Sequence, residues 1–247
     1  MRLAAAAFAL VAIAAPAQAA CPQVAEVARF ARALLERRVP QPWAASTDPA
    51  CAQQRLAAML AQPWGDIEGI ALAADIVPPL RGALFHANFR ARSGATIEAA
   101  YAARPAIAPA LLLTMGDAAV ATVAPFLVLL DLAAMPGGMD AASRRAGNLG
   151  VRLGVVGAAV PLRDAAMLAA GATLQADHST MAATLGLATP PAALLAALAQ
   201  DLAAEGRPLR AGDQVALMGP AAPIAPRPGE TWRLSVEGLG DVVVAFR

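Results

Sequence analysis

The two longest apolar stretches of the folded part of the chain lie close together, at residues 106–115 and 123–131, and a Met-Gly-Asp turn joins them. Neither stretch alternates with polar residues, so neither strand has a face suited to water. Both are therefore predicted to be strands that lie inside the fold. This strand pair is the predicted centre of the structure.

Three other segments have the spacing of helices. Apolar residues recur every three or four positions across residues 22–38, and Pro40 and Pro42 follow. A Ser-Thr-Asp-Pro start signal precedes a second predicted helix at about residues 50–60. A third, at residues 191–205, has proline near its first turn. The first two predict a helical segment ahead of the strands.

The first twenty residues have the pattern of a signal peptide. Arg2 precedes an apolar core at residues 3–15, and an Ala-Gln-Ala cleavage site follows. The core is shorter than the roughly 20 residues that a membrane span needs. We expect cleavage near Ala19 or Ala20 and export to the periplasm or medium. The alternative is an alanine-rich N-terminal helix that stays attached.

The chain has two cysteines, Cys21 and Cys51. In an exported protein a lone pair predicts a disulfide, and closing a loop of this size contributes roughly 3 kcal/mol. A catalytic thiol would need a nearby histidine or acid, and a metal site would need more cysteines or histidines. The structural disulfide is therefore favoured.

Composition excludes several classes of function. The net charge is +1 and aromatic residues make up 4%, so a nucleic-acid partner is not expected. The hydrophobic fraction is 58%, but alanine inflates it and no later run is long enough to span a membrane. All 19 basic residues are arginine, which excludes any mechanism with a catalytic lysine.

The C-terminal third carries a run of specific motifs. Residues 206–213 read Gly-Arg-Pro-Leu-Arg-Ala-Gly-Asp, a predicted strand at 214–218 leads into Gly219-Pro220, and a predicted hairpin covers 232–246 with its turn at 237–240. These motifs resemble the 2-oxopent-4-enoate hydratase and 4-oxalocrotonate decarboxylase family of the fumarylacetoacetate hydrolase superfamily. The looser resemblance of the N-terminal half extends this to nearly the whole mature chain.

The resemblance implies an α+β fold. It is a fumarylacetoacetate-hydrolase-like mixed β-roll, or partly open barrel, with an N-terminal helical segment. The expected organisation is a signal peptide at residues 1–20, the helical segment at 21–65 and a hydratase-like β-roll domain at 66–247. Family members assemble through this fold, so a homo-oligomer is also implied.

The family's chemistry depends on three metal-binding glutamates and a lysine. Aligned with this chain, the first two glutamates fall on Ala108 and Ala110, the third on Val128, three residues before Asp131, and the lysine on Ala71. Relatives use Mg²⁺ or Mn²⁺, whereas methyl and isopropyl groups bind no hard cation. The resemblance therefore implies no cofactor, no metal ligand and no catalytic residue here.

What is left of the site is predicted to be a ligand pocket. Asn148 matches the asparagine of a family Asp-Asn-Ala-Ser element, and Gly219 precedes Pro220 where active relatives have serine. His86 has the alternative of a loop histidine, and Asn148 that of a backbone cap. The predicted pocket residues are Arg81, His86, Ala108, Ala110, Val128, Asp131, Asn148 and Gly219.

Three hypotheses for function follow. The first is an exported, catalytically degenerate hydratase-like protein that binds a small organic ligand, an oxo-acid or an aromatic compound, in the former active-site pocket. The second is a structural or interaction protein whose pocket is filled. The third is an enzyme. It is either a metal-free lyase or tautomerase that uses Asp131, Arg81 or His86, or an active hydratase of the family with a rearranged site. Fold alone does not decide among them.

Overall fold

The computed structural model describes residues 19–117, 119–169, 171–177, 179–183, 185, 187–222 and 225–247. The predicted signal peptide lies almost wholly outside these residues. Within them the chain is α+β, with two sheets and four α-helices. In this described part, no helix has both the length and the apolar character that crossing a membrane requires.

The helices begin and end close to the predicted limits. Asp48 caps the second helix, since its carboxylate accepts hydrogen bonds from the backbone N–H groups of Ala50, at 2.8 Å, and Cys51, at 3.2 Å. That helix runs four residues beyond its predicted end, and a short third helix was not predicted. The helices are α1 Val24–Leu35, α2 Pro49–Trp64, α3 Ala141–Ala146 and α4 Pro191–Ala204.

The strands form a large and a small sheet. They are β1 Ile67–Ala73, β2 Leu80–Phe85, β3 Ala91–Arg92, β4 Ala95–Ile97, β5 Pro105–Met115, β6 Val120–Asp131, β7 Val151–Val156, β8 Val160–Pro161, β9 Ala172–Ala176, β10 Ser179–Ala183, β11 Gln214–Met218, β12 Thr231–Val236 and β13 Gly240–Phe246. The large sheet has the order β2-β1-β11-β5-β6-β7-β3, with β8 also paired to β6. The small sheet has the order β10-β9-β12-β13-β4.

The strand pair β5 and β6 lies in the middle of the large sheet and is buried along most of its length, which confirms the predicted centre. Alternate residues of a strand point to opposite faces. Odd-numbered residues such as Leu111 and Leu127 join the core between the two sheets, while even-numbered residues such as Ala108 and Phe126 join a second apolar cluster on the other face. The pair therefore supplies two separate cores.

The N-terminal helices pack on this assembly through a third apolar cluster. Val27, Phe30 and Leu34 of α1 meet Leu56 and Leu60 of α2 there. The Cys21–Cys51 disulfide joins the segment before α1 to the first turn of α2, with the two Cα atoms 5.4 Å apart. The predicted disulfide is confirmed.

Candidate functional site

The positions that the resemblance assigns to chemistry converge on one face of the large sheet. Ala108 of β5 lies directly opposite Val128 of β6, and Ala110 follows two residues along the same face. Ala71 reaches this face from β1, two strands away from β5. We call the surface formed by Ala71, Ala108, Ala110 and Val128 the alanine face. All four positions therefore lie on the same face of the large sheet.

The alanine face is closed and apolar. All four of its side chains are 0% exposed and belong to one continuous hydrophobic cluster. Large side chains from other positions complete that cluster, among them Phe126 of β6 and Phe89, whose rings stack with centroids 6.1 Å apart. In the described residues, no group of three or more His, Cys, Asp and Glu side chains lies close enough to hold a metal ion. The residues of the alanine face do not fit a divalent cation.

One of the large side chains that complete this cluster, Leu149, comes from a turn with left-handed backbone conformation. Asn148, Leu149 and Gly150 have φ values of 52°, 58° and 67°, a region that non-glycine residues rarely occupy. Leu149 is only 2% exposed and packs in the cluster of the alanine face. A Cβ atom added at Gly82 of β2 would lie 3.0 Å from its Cγ. Such strain persists only where the surrounding packing determines it.

Asn148, in the same turn, forms hydrogen bonds with β2, the edge strand of the large sheet. Its Oδ1 accepts a hydrogen bond from the Ala83 backbone N–H at 2.7 Å, and its Nδ2 donates to the Ala83 carbonyl at 3.0 Å. Gln53 of α2 donates to the neighbouring carbonyl of Arg81. Unpaired edge groups invite pairing with another chain, so this arrangement protects β2. The side-chain amide of Asn148 acts as a backbone cap.

Asp131 is also engaged with the backbone. Its carboxylate accepts hydrogen bonds from the N–H groups of Ala103, Arg104 and Ala133 at 3.0–3.1 Å, and the residue is 2% exposed. These bonds tie the end of β6 to the segment that enters β5. A buried carboxylate needs hydrogen-bond partners, and these three backbone donors supply them. Asp131 therefore has a clear role in holding this end of the strand pair.

Arg81 and His86 lie at opposite ends of β2, each beside an acidic side chain. Arg81 Nη2 lies 2.6 Å from Glu205 Oε1, and His86 Nδ1 lies 2.6 Å from Glu68 Oε1. Both pairs are partly exposed to solvent. The structure therefore does not bring these two side chains together.

Gly219 lies after β11, where its N–H donates to the Pro109 carbonyl at 2.8 Å. A Cβ atom there would lie 2.7 Å from the Leu185 carbonyl oxygen. This glycine is required by the close approach of two backbone segments.

An open cleft of about 620 Å³ lies over β2, between α2 and the end of α4. We call it the β2 cleft. Of the eight predicted pocket residues, Arg81 and Asn148 line it, and the other six lie elsewhere. Sequence reasoning missed its other polar side chains, because they are far apart along the chain and carry no motif. These polar side chains are Gln53, Gln54, Arg145, Asp201, Glu205 and Arg207.

A second cleft, of about 380 Å³, adjoins the first. The two share Ile67, Gly69, Ile70, Leu202 and Arg207 in their linings. Together they form a groove that follows β1 beneath the C-terminal end of α4.

A buried arginine links the helical segment to the large sheet. The guanidinium of Arg152 on β7 lies between two aromatic rings, 4.8 Å from the ring centre of Trp64 and 5.0 Å from that of Tyr101. Its Nε donates to the Tyr101 carbonyl at 3.2 Å. Burial lowers the pKa of this guanidinium, while Tyr101 and Asp131 oppose the shift. The stack stabilises the packing of α2 on the sheet.

No protein-family model and no curated protein matches the chain. Several solved structures are similar to it in fold. 4-Oxalocrotonate decarboxylase from Pseudomonas putida G7, complexed with calcium and acetate, is 18% identical, with a TM-score of 0.76 over 91% of this chain and 96% of that one. The same enzyme with magnesium and adipate gives 19% identity and a TM-score of 0.73 over 91% and 97%.

Fumarylpyruvate hydrolase from Pseudomonas aeruginosa, in complex with Mn²⁺ and pyruvate, is 18% identical, with a TM-score of 0.53 over 72% of this chain and 87% of that one. A putative fumarylacetoacetate hydrolase family protein from Yersinia pestis CO92 is also similar, with a TM-score of 0.54. These likenesses confirm the predicted fold class.

Proposed function

We propose that this chain, which has the fold of the fumarylacetoacetate hydrolase superfamily, is a catalytically degenerate hydratase-like protein that binds a small organic acid without a metal ion. One observation carries the proposal. Ala108, Ala110 and Val128 meet on one face of the sheet and are 0% exposed. Methyl and isopropyl groups there offer no electron pair to a cation, and no water reaches them.

The buried face also argues against rebuilding the same chemistry with other residues. The carboxylate of Asp131 is occupied by three backbone donors. Arg81 and His86 are at opposite ends of one strand. A general acid and base must both reach one substrate, and these groups do not converge on a common point. The lyase hypothesis therefore has less support than the binding hypothesis.

A filled-pocket interaction protein is the second candidate, and Leu149 favours it. This side chain is held in a strained turn and fills space beside Gly82. Under this hypothesis, the fold serves only as a scaffold for an interaction surface and has no ligand pocket. The two candidates differ in whether the protein has any small-molecule ligand at all.

We propose further that the protein is exported. The pattern of residues 1–20 supports this, and so does the disulfide between Cys21 and Cys51. Disulfides persist in oxidising compartments and are rare in the cytosol. The N-terminal sequence of the purified extracellular or periplasmic protein tests this directly, and it should begin at about residue 20 or 21.

The test of degeneracy combines metal analysis with an activity assay. The dialysed protein should contain no stoichiometric divalent metal. With added Mg²⁺ or Mn²⁺, it should neither hydrate 2-oxopent-4-enoate nor decarboxylate 4-oxalocrotonate above the uncatalysed rate. An active decarboxylase in the same buffer is the positive control. Stoichiometric metal together with turnover would refute the proposal.

A further inference from the structure

The β2 cleft is distinct from the alanine face. The turn at Asn148 and Leu149 lies between them, with Asn148 lining the cleft and Leu149 packed in the buried cluster. A volume of about 620 Å³ lies within the range of about 300–1,000 Å³ that is usual for small-molecule sites. The cleft is therefore large enough for a ligand, whereas the alanine face is closed.

The floor of the β2 cleft is apolar. Ile67 and Ile70 of β1, Leu80 of β2 and Leu202 of α4 contribute to its lining. Ile67 is 47% exposed, so its side chain is accessible to a ligand in the cleft. An apolar group laid on this floor would be removed from water, which favours binding in proportion to the area covered.

The charged side chains of the cleft are three arginines and two acids. Arg81 is paired with Glu205. Arg145 and Arg207 are exposed, and neither has a carboxylate within ion-pair distance in the described part of the chain. The remaining acid, Asp201, does not neutralise both of them. The cleft therefore has an excess of positive charge above an apolar floor.

Arginine binds carboxylates through two parallel hydrogen bonds, and its guanidinium is less strongly hydrated than an ammonium group. From this placement of charge and apolar surface, we propose that the β2 cleft binds a monocarboxylate with an apolar tail. Its carboxylate lies at Arg145 and Arg207, and its tail lies on Ile67, Ile70 and Leu202. The inference rests on the proposed function, because it names the ligand class and moves the site out of the buried face.

The probes are octanoate, octanol and acetate, each titrated into the full mature protein by calorimetry. Octanoate should bind at least about tenfold more tightly than octanol, which lacks the charge for the arginines. It should also bind at least about tenfold more tightly than acetate, which lacks the tail. Equal affinity for octanoate and octanol, or for octanoate and acetate, overturns the assignment.

Variants locate the site. Arg145→Gln and Arg207→Gln should each weaken octanoate binding about tenfold, since each removes a charged hydrogen-bond donor. Arg163→Gln changes another exposed arginine outside the cleft lining and should leave the affinity unchanged. Ala58→Trp adds a large ring at an exposed position of α2 that lines the cleft and should abolish binding.

All these positions are exposed, so the variants should melt like the wild type, which circular dichroism checks. Octanoate binding that is the same in Ala58→Trp as in the wild type, or equal loss in Arg163→Gln and Arg207→Gln, overturns the inference. Absence of octanoate binding in the wild type also overturns it, but leaves the metal-free, inactive state untouched. Metal-dependent turnover would refute the proposed function by a separate measurement.

Discussion

The two faces of the central strand pair are equally buried but differently built. Toward the small sheet, β5 presents Ile107, Leu111 and Leu113, which pack in a core that includes Trp232. On the opposite face the same strand presents three alanines, Ala106, Ala108 and Ala110, before Leu112. Large side chains on both faces of a buried strand would stabilise the fold more, because the stabilising free energy grows with the apolar area buried. The small residues of the second face leave a hollow.

Side chains from other positions fill that hollow. The ring of Phe126 covers Gly154, where an added Cβ would lie 2.0 Å from two ring atoms, and Leu149 enters from its left-handed turn. The face of β5 toward the small sheet is thus packed by large side chains of β5 itself. The opposite face is packed mainly by large side chains of β6, such as Phe126, and by Leu149 from its turn. The difference shows that two equally buried faces of one strand pair can be packed in different ways.

The largest expected effect comes from introducing a charge into the alanine face. Ala108→Glu places a carboxylate at a position that is 0% exposed, with Ala and Val around it. An uncompensated buried charge should lower the free energy of unfolding by about 4 kcal/mol. Urea unfolding at neutral pH measures this loss.

Ala121→Glu, an exposed position at the start of β6, is the matched control and should change stability by less than about 0.5 kcal/mol. A stable Ala108→Glu variant would mean that the alanine face admits water, contrary to its observed packing.

A smaller loss is expected on the face toward the small sheet. Leu111→Ala removes a fully buried side chain from a core enclosed by two sheets, so the cavity cannot collapse readily. The free energy of unfolding should fall by about 3 kcal/mol. Thermal and urea unfolding measure it, with exposed Val39→Ala as the control of near-zero effect.

The smallest of the three effects should come from Leu149→Ala. This side chain lies at the edge strand β2, beside the open cleft, so the site can relax more than a core enclosed by two sheets. We expect a loss of about 2 kcal/mol. An apolar hollow that remains dry should also bind a small apolar probe such as xenon, which the wild type should not.

If Leu149→Ala costs as much as Leu111→Ala and takes up no xenon, then the two faces are packed in the same way. The contrast between them would then have no consequence for ligand binding.

Much of the fold was predictable because its signals are local. Continuous apolar runs marked β5 and β6, helical spacing marked α1, and β11 was predicted with both limits correct at Gln214–Met218. Several short strands, such as β3 and β9, were not predicted, because two to five residues of mixed character carry little periodicity. The likeness to solved structures confirmed the fold class.

For the candidate site, the sequence predicts that these positions share one face of the sheet, but it does not predict what surrounds them. A spacing of two along a strand puts Ala108 and Ala110 on the same side, and their lack of polar atoms is evident from the residue types. Whether that face is open or closed depends on Leu149 and Phe89, which belong to other elements. The β2 cleft likewise combines Gln53 of α2, Arg145 of α3 and Arg207 of the loop after α4. Local patterns follow from the chain's own neighbours, whereas cavities and charge clusters arise only when packing brings distant segments together.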